Sequence, residues 1–455
     1  MRKIRTHWHH AHEGMVPHDV STGAASIAAA IRAESNAVKR VFKLLGPGLI
    51  TGASDDDPSG IGTYAVAGAS LGFGTLWTAP ISFPLMTAVQ YICAKIGLVS
   101  GMGLASVLRR NYSRAVLIPA IIGLLVANTI NAGADIGAIA AGINLLVPIP
   151  ILWLIAPVAA LIIALEVLGS YRLIARVFKW LTIVLLGYII AGVIARPEWG
   201  DVLKSTFVPD FQLNTTYLAA IVAIFGTTIS PYLFFWQASE EVEEEEARGW
   251  TTVEQREASV SDTDLKNVAW DVNIGMAFAN IVFYFIILTA ATTLFKAGKT
   301  DIQSAADAAQ ALAPLAGNAA TILFAIGIIG AGFLAVPVLT ASGAYAVCEA
   351  AGWSYGLNEK LSKAKHFYIV IFAATVVGVL FNFVGINPIT ALFWTAIING
   401  LLAPPLLVVI MLISNNKAVM GTRTNSWLLN VLGWAATAIM FTAASALIVS
   451  WRAGS

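Results

Sequence analysis

An all-α polytopic membrane protein is what this sequence predicts, and three observations carry the prediction. Charge is scarce: 58% of the 455 residues are hydrophobic and only 12% are charged, against about 25% charged in ordinary soluble domains. Apolar runs of spanning length recur along most of the chain and predict about 11 transmembrane helices. Two of these runs, the first and the sixth, are interrupted in the same way and open successive groups of five, the pattern of a five-plus-five inverted repeat. A mean hydropathy of +0.77 argues against a water-soluble enzyme. With 27 basic and 26 acidic residues there is no global field to attract nucleic acid.

In chain order the runs fall at about 46–70, 75–98, 115–145, 151–167, 171–195, 216–238, 268–296, 317–349, 367–385, 389–413 and 426–450. Those at 115–145 and 317–349 are long and rich in Gly and Ala, which lets helix backbones approach closely. Connections as short as Gly72–Gly74 and Val147–Pro150 leave no room for a separate soluble domain. The chain therefore divides into a cytoplasmic tail (1–43), a membrane core of ten helices in two repeats (44–425), and an eleventh helix with an extracellular C-terminus (426–455). No uninterrupted apolar run precedes Lys43, so no cleavable signal peptide is expected.

Charge placement orients the bundle. With the N-terminus inside, 22 of the 27 basic residues fall on the cytoplasmic side and 5 (Arg196, Lys204, Lys296, Lys299 and Arg452) on the other. The positive-inside rule selects this topology over its reverse. The tail carries His7, His9, His10, His12 and His18; it reads as a disordered tail, with a metal-loading arm as the alternative. Residues 24–43 fit an amphipathic helix on the inner membrane surface. Six Glu among Glu240–Glu246 read as a solvated helix end, and Glu166, Asp271 and Glu349 as interfacial. Cys93 and Cys348 lie in apolar segments, without disulfide-framework or zinc-ligand spacing.

The interruptions carry the chemistry. The first run contains Ser54-Asp55-Asp56-Asp57-Pro58-Ser59-Gly60, and the sixth contains Gly226-Thr227-Thr228-Ile229-Ser230-Pro231-Tyr232. Proline removes a backbone donor and clashes with the preceding turn, so each helix breaks there. A broken helix at membrane depth persists only where its freed carbonyls line a cavity or bind something. An aspartate at that depth costs at least ~2.5 kcal/mol, so three in a row demand water, cations or partners. The alternative is a loop between two short helices that do not span. An anionic centre surrounded by backbone and hydroxyl oxygens suits a hard cation.

Gly46-Pro47-Gly48, the Asp57–Gly60 break, Gly72–Trp77, Gly226–Pro231 and Gly343–Gly352 together resemble the natural resistance-associated macrophage protein (NRAMP) divalent-metal transporters, over about residues 44–425. The resemblance implies the eleven-helix form of the amino-acid–sodium symporter fold, alternating access, and a metal site between helices one and six. It carries metal ligands over to Asp57 and to the carbonyls of Ser54 and Thr227. This sequence also departs from the family. Gly60 stands where the family has a ligand asparagine, and Ser230 where it has a ligand methionine. Loss of the soft sulfur weakens selection for transition metals, and the pattern resembles the NRAMP-related magnesium transporter branch. Thr228 is a further candidate through its hydroxyl. Thr395 and Asn399 share a helix face and either complete the cavity or make ordinary interhelical hydrogen bonds.

The family's two helix-six histidines correspond to Tyr232 and Gln237 here, and no histidine falls within any predicted span. That removes one obvious proton relay. Asp135 is the acidic residue of the third run, while the family's companion aspartate aligns with Ala132. Asp135 reads as a residual proton site, a charge behind the ligands, or a hydrogen-bonded buried acid. The expectation is Mg²⁺ uptake, with Mn²⁺ also accepted, without proton coupling. The alternatives are a proton-coupled Mn²⁺/Fe²⁺ importer and an organic-amine symporter. No nucleophile–base pair suggests an enzyme. No cofactor is expected beyond the transported ion, and no obligatory protein partner beyond the bilayer.

Overall fold

The computed structural model describes residues 46–168, 185–302, 304–313 and 317–453. The histidine-bearing tail, the proposed surface helix at 24–43 and the first part of the run at 171–195 lie outside them. The main helices are α1 (Pro47–Asp55), α2 (Pro58–Leu71), α3 (Thr78–Ser100), α4 (Leu104–Asn111), α5 (Arg114–Leu146), α6 (Ile151–Leu168) and α7 (Leu186–Ile194). They continue with α8 (Thr215–Thr228), α9 (Pro231–Ala247), α10 (Asp262–Ala290), α11 (Ala320–Ala351), α12 (Lys365–Phe381), α13 (Pro388–Ser414) and α14 (Trp427–Ala453). Among the described residues nine helical stretches are long and apolar enough to cross a membrane, α8 and α9 counting together as one. The interrupted pair α1 and α2 follows the predicted first run.

Both interruptions sit where the prolines put them, and by one device. Asp56 (φ −85°, ψ 49°) ends α1, extended Asp57 caps α2, and Pro58 occupies the first turn. In the sixth run Ile229 (φ −120°, ψ 61°) ends α8, extended Ser230 precedes α9, and Pro231 fills the matching position. Proline in a first turn gives up an amide that had no intrahelical partner in any case. The residue therefore stops one helix and starts the next without loss.

Packing then places the two breaks in the interior. At Gly52 of α1 an added Cβ would fall within the backbone of Gly275 on α10, and at Gly48 it would lie 2.7 Å from the Val272 amide nitrogen. Helix α1 is thus seated glycine against glycine, an approach that small residues alone permit. Gly226 of α8 lies in the same way on the backbone of Ala396 and Gly400 of α13. The Gly/Ala-rich helices α5 and α11 form the most extensive helix pair, as their composition predicts.

The acidic residues correct the sequence reading. Helix α9 runs on past the predicted end of its span to Ala247 and buries Glu240, Glu241, Glu243 and Glu245 to 7% exposure or less. Glu243 accepts from Tyr345 Oη, from the Leu357 amide (2.8 Å) and from Asn358 Nδ2 (2.6 Å). Glu166, Asp271 and Glu349 are likewise buried rather than interfacial. Asp271 caps α1, accepting from the Gly46 and Gly48 amides at 2.9 and 2.7 Å. Glu349 accepts from the Ser106 amide (3.0 Å) and Ser239 Oγ (2.9 Å), and Glu166 from Thr340 Oγ1 (2.5 Å). For Glu166, Glu243, Asp271 and Glu349 the physical reason is common: donors from residues distant in sequence bond these carboxylates, so burial becomes tolerable. Glu241 accepts from Gln237 within its own helix, and both Glu245 oxygens are buried without a partner. Cys93 and Cys348 are buried and free.

Candidate metal centre

Asp57 is the centre of the first break. Its Oδ1 accepts from the Gly60 amide (2.6 Å) and Ser59 Oγ (2.7 Å), the cap of α2. Its Oδ2 accepts from Asn131 Nδ2 of α5 at 3.2 Å. The carboxylate is 1% exposed, and all three partners are neutral donors. Among the described residues no lysine or arginine forms an ion pair with Asp55, Asp56, Asp57 or Asp135.

Gly60 stands beside this carboxylate. A Cβ there would lie 3.2 Å from the Asp55 carbonyl oxygen, 3.2 Å from Thr227 Oγ1 and 3.3 Å from Asp57 Oδ1. Three oxygens from both broken helices thus surround the position where a side chain would begin. Several buried polar atoms nearby have no hydrogen-bond partner: Ser54 Oγ, Asp55 Oδ1, both carboxylate oxygens of Asp56 and of Asp135, Tyr64 Oη and Asn131 Oδ1. Each such group ordinarily costs ~1–3 kcal/mol, and charged groups cost more. The aspartates at the break, Asp135, Tyr64 and Tyr232 are mutual electrostatic neighbours. The cluster is rich in acceptors and poor in donors, an environment in which a cation with its water satisfies what the protein leaves open.

The remaining candidates separate by position. The Ser54 carbonyl accepts from Tyr232 Oη at 2.7 Å, tying α9 to α1, while the Tyr232 carbonyl accepts from Ser342 Oγ of α11, also at 2.7 Å. Ser230 Oγ donates within its own break, to the Thr227 carbonyl at 2.6 Å or that of Gly226 at 3.0 Å. Thr227 presents its hydroxyl to Gly60, while its carbonyl accepts from Ser230. Thr228 bonds back to the Ile224 carbonyl (2.9 Å) and Thr395 to that of Leu392 (2.7 Å), while the Asn399 amide nitrogen is buried without a partner. Gln237 lies further along α9, accepting from Thr51 Oγ1 (2.5 Å) and donating to Glu241 (2.8 Å). Asp135 is buried beside the Ser59 amide and Asp57, with neither oxygen hydrogen-bonded.

Asn131 was missed by the sequence reading. It stands one helical turn before Asp135, so both project from the same face of α5, and that spacing was the available signal. Tyr64 and Asp56 were legible only as members of an apolar and an acidic run. Among the described residues no three His, Cys, Asp or Glu side chains converge as a dry metal cage would require. The chemistry on offer is oxygen only, with one strongly held carboxylate at its centre. Every residue of the cluster is at most 2% exposed, so the centre is sealed from solvent in this structure.

Comparison with known proteins gives a consistent result. The family model described as natural resistance-associated macrophage protein-like matches residues 48–450. The divalent metal cation transporter MntH of Agrobacterium fabrum is 28% identical over 339 residues, covering 71% of this chain and 70% of that protein. The MntH protein of Klebsiella pneumoniae is 25% identical over 425 residues, covering 91% and 96%. Among solved structures, a manganese transporter of Eremococcus coleocola superposes with a TM-score of 0.70 at 21% identity, covering 92% of this chain and 90% of that one. The inward-facing structure of Mhp1 gives 0.51 at 14% identity, covering 90% and 91%. These likenesses identify the fold as the one shared by the two structures.

Proposed function

Because the chain belongs to the natural resistance-associated macrophage protein-like family, we propose that it is an integral membrane transporter of divalent metal cations. Mg²⁺ is its preferred cargo, Mn²⁺ a second, and transport is not coupled to protons. The observation that carries the preference is the all-oxygen surround of Gly60, beside the Asp57 carboxylate already steadied by three neutral donors. Mg²⁺ dehydrates reluctantly and binds through one or two carboxylates with much of its water retained. A glycine in place of an asparagine and a serine in place of a methionine leave an all-oxygen lining and remove the soft ligand that favours transition metals. Asp57, the carbonyls of Ser54 and Thr227, and the hydroxyls of Thr227, Thr228 and Ser230 are the proposed contacts, directly or through water. Asn131, Asp135, Tyr232, Thr395 and Asn399 stand behind them.

The N-terminus lies in the cytoplasm and the C-terminus outside, on the strength of the basic-residue distribution. In that orientation an inside-negative potential of 100 mV contributes ~4.6 kcal/mol for a divalent ion. This corresponds to roughly 2,000-fold accumulation, so influx needs no second ion. Tyr232 and Gln237, which replace titratable histidines, are engaged in fixed hydrogen bonds to α1, which also favours uncoupled transport. The competing reading, a proton-coupled Mn²⁺/Fe²⁺ importer, draws on Asp135, a buried acid without a hydrogen-bonded partner beside Asp57.

One experiment separates them: Mg²⁺ and Mn²⁺ uptake into proteoliposomes containing a pH dye, comparing the wild type with Asp57→Ala and Asp135→Asn. Uptake of Mg²⁺ without acidification, near-complete loss in Asp57→Ala and retention in Asp135→Asn are expected. Normal transport by Asp57→Ala overturns the site. Acidification that tracks uptake and disappears in Asp135→Asn establishes the rival.

A further inference from the structure

Away from the metal centre, a groove of about 770 Å³ opens between α5 and the end of α11. Its floor and rim are aliphatic: Leu117 and Ile121 are buried, while Ile118 and Ile122 are 50% and 56% exposed. One end is different. Arg109, from the last turn of α4, and Arg114, the first residue of α5, line it, with Tyr112 between them. Both arginines are exposed, and neither has a carboxylate within ion-pair distance among the described residues. The Arg109 guanidinium lies against Gly352, the cap of α11, which places it at the groove. Glu349 is an electrostatic neighbour of Arg109, and that carboxylate is already bound by Ser106 and Ser239. Ser113 gives α5 no side-chain cap, leaving amides at the same end open.

We propose that this groove binds one anionic phospholipid of the cytoplasmic leaflet, its headgroup phosphate on Arg109 and Arg114 and an acyl chain along Ile118 and Ile122. The occupant follows from charge complementarity and position. The arginine end is the cytoplasmic end in the proposed topology, and basic pockets between spanning helices on that side take anionic headgroups. A volume in the range of small-molecule pockets accommodates part of one such molecule. Within a bilayer the aliphatic wall discriminates little, because every competing lipid offers the same chain. Selectivity must therefore come from the two arginines. At the contribution typical of one basic residue near a membrane surface, the pair favours an anionic over a zwitterionic lipid roughly thirtyfold.

The test is lipid retention by the delipidated full-length protein in native mass spectrometry, with phosphatidylglycerol and phosphatidylcholine of identical chains as probes. The wild type should retain one phosphatidylglycerol in strong preference. Arg109→Gln with Arg114→Gln should abolish the preference, whereas Lys363→Gln with Lys365→Gln, which removes equal charge elsewhere, should leave it intact. Ile122→Trp, with both arginines present, should displace the lipid by filling the apolar end. Equal retention of the two lipids by the wild type overturns the proposal. So does a preference that survives the arginine pair, falls equally with the lysine pair, or persists undiminished in Ile122→Trp. No metal is needed for this measurement, so its outcome is independent of the assigned cargo.

Discussion

Gly60→Ala is the perturbation that tests the metal centre most directly. The new methyl would stand 3.2 Å from the Asp55 carbonyl oxygen, 3.2 Å from Thr227 Oγ1 and 3.3 Å from Asp57 Oδ1. These contacts are tight but open to relaxation by a few tenths of an ångström. Gly60 lies in the first turn of α2 without a positive φ, so alanine meets no backbone strain there. In helices alanine is favoured over glycine by up to about 1 kcal/mol, which offsets the crowding, and the melting temperature should change little. The effect on the ion is of another size. In the proposed site the methyl crowds the three oxygens offered to the ion or its water, and losing one hydrogen bond to a charged group costs ~1.5–3 kcal/mol. Affinity for Mg²⁺ should therefore fall roughly 12- to 140-fold, read as a raised KM for uptake in proteoliposomes. A normal KM with intact folding would refute the assignment of this space to the ion and its water, whatever the cargo proves to be.

Other expectations follow from the same contacts. Asn131→Ala removes the donor to Asp57 Oδ2 and should weaken Mg²⁺ uptake roughly tenfold or more, whereas Asn131→Gln should recover part of the loss. Tyr232→Phe releases the Ser54 carbonyl; losing one neutral hydrogen bond of about 1 kcal/mol should increase labelling of a cysteine placed at Ser54, and unchanged labelling would show that this bond does not hold α1 closed. Asp271→Ala leaves the Gly46 and Gly48 amides uncapped and should cost about 1–2 kcal/mol of stability, seen as a lower melting temperature. Adding Mg²⁺ at about 100 times its dissociation constant should stabilise the wild type by about 2.7 kcal/mol, an increment that EDTA reverses and Asp57→Ala abolishes.

The fold was legible because it rests on local composition. Runs of apolar residues mark spans wherever they occur, and a proline stops a helix whatever surrounds it. The paired breaks at Asp57–Pro58 and Ser230–Pro231 were therefore visible before any coordinates. Much of the candidate site was legible for the same reason, since the breaks themselves carry Asp57, Thr227 and Ser230. Asn131 was not, because its relevance is a contact across 74 positions of sequence. The glutamates of α9 were misread for a related reason. A run of like charges signals solvent only when no partner is known, and the partners of Glu243 come from Tyr345, Leu357 and Asn358 on the far side of the chain.

By itself, then, the sequence determined the membrane class, the order of the spans, the two broken helices and the carboxylate at the first break. Each depends on hydropathy or backbone chemistry that a residue carries with it. Only the tertiary structure decided which oxygens meet at Gly60, which buried acids find donors, and which groups fix α1 against its neighbours. Those depend on distance between remote segments. A hydrogen bond or a close backbone approach exists only within an ångström or so of its ideal length, and that proximity is settled by the packing of the whole bundle.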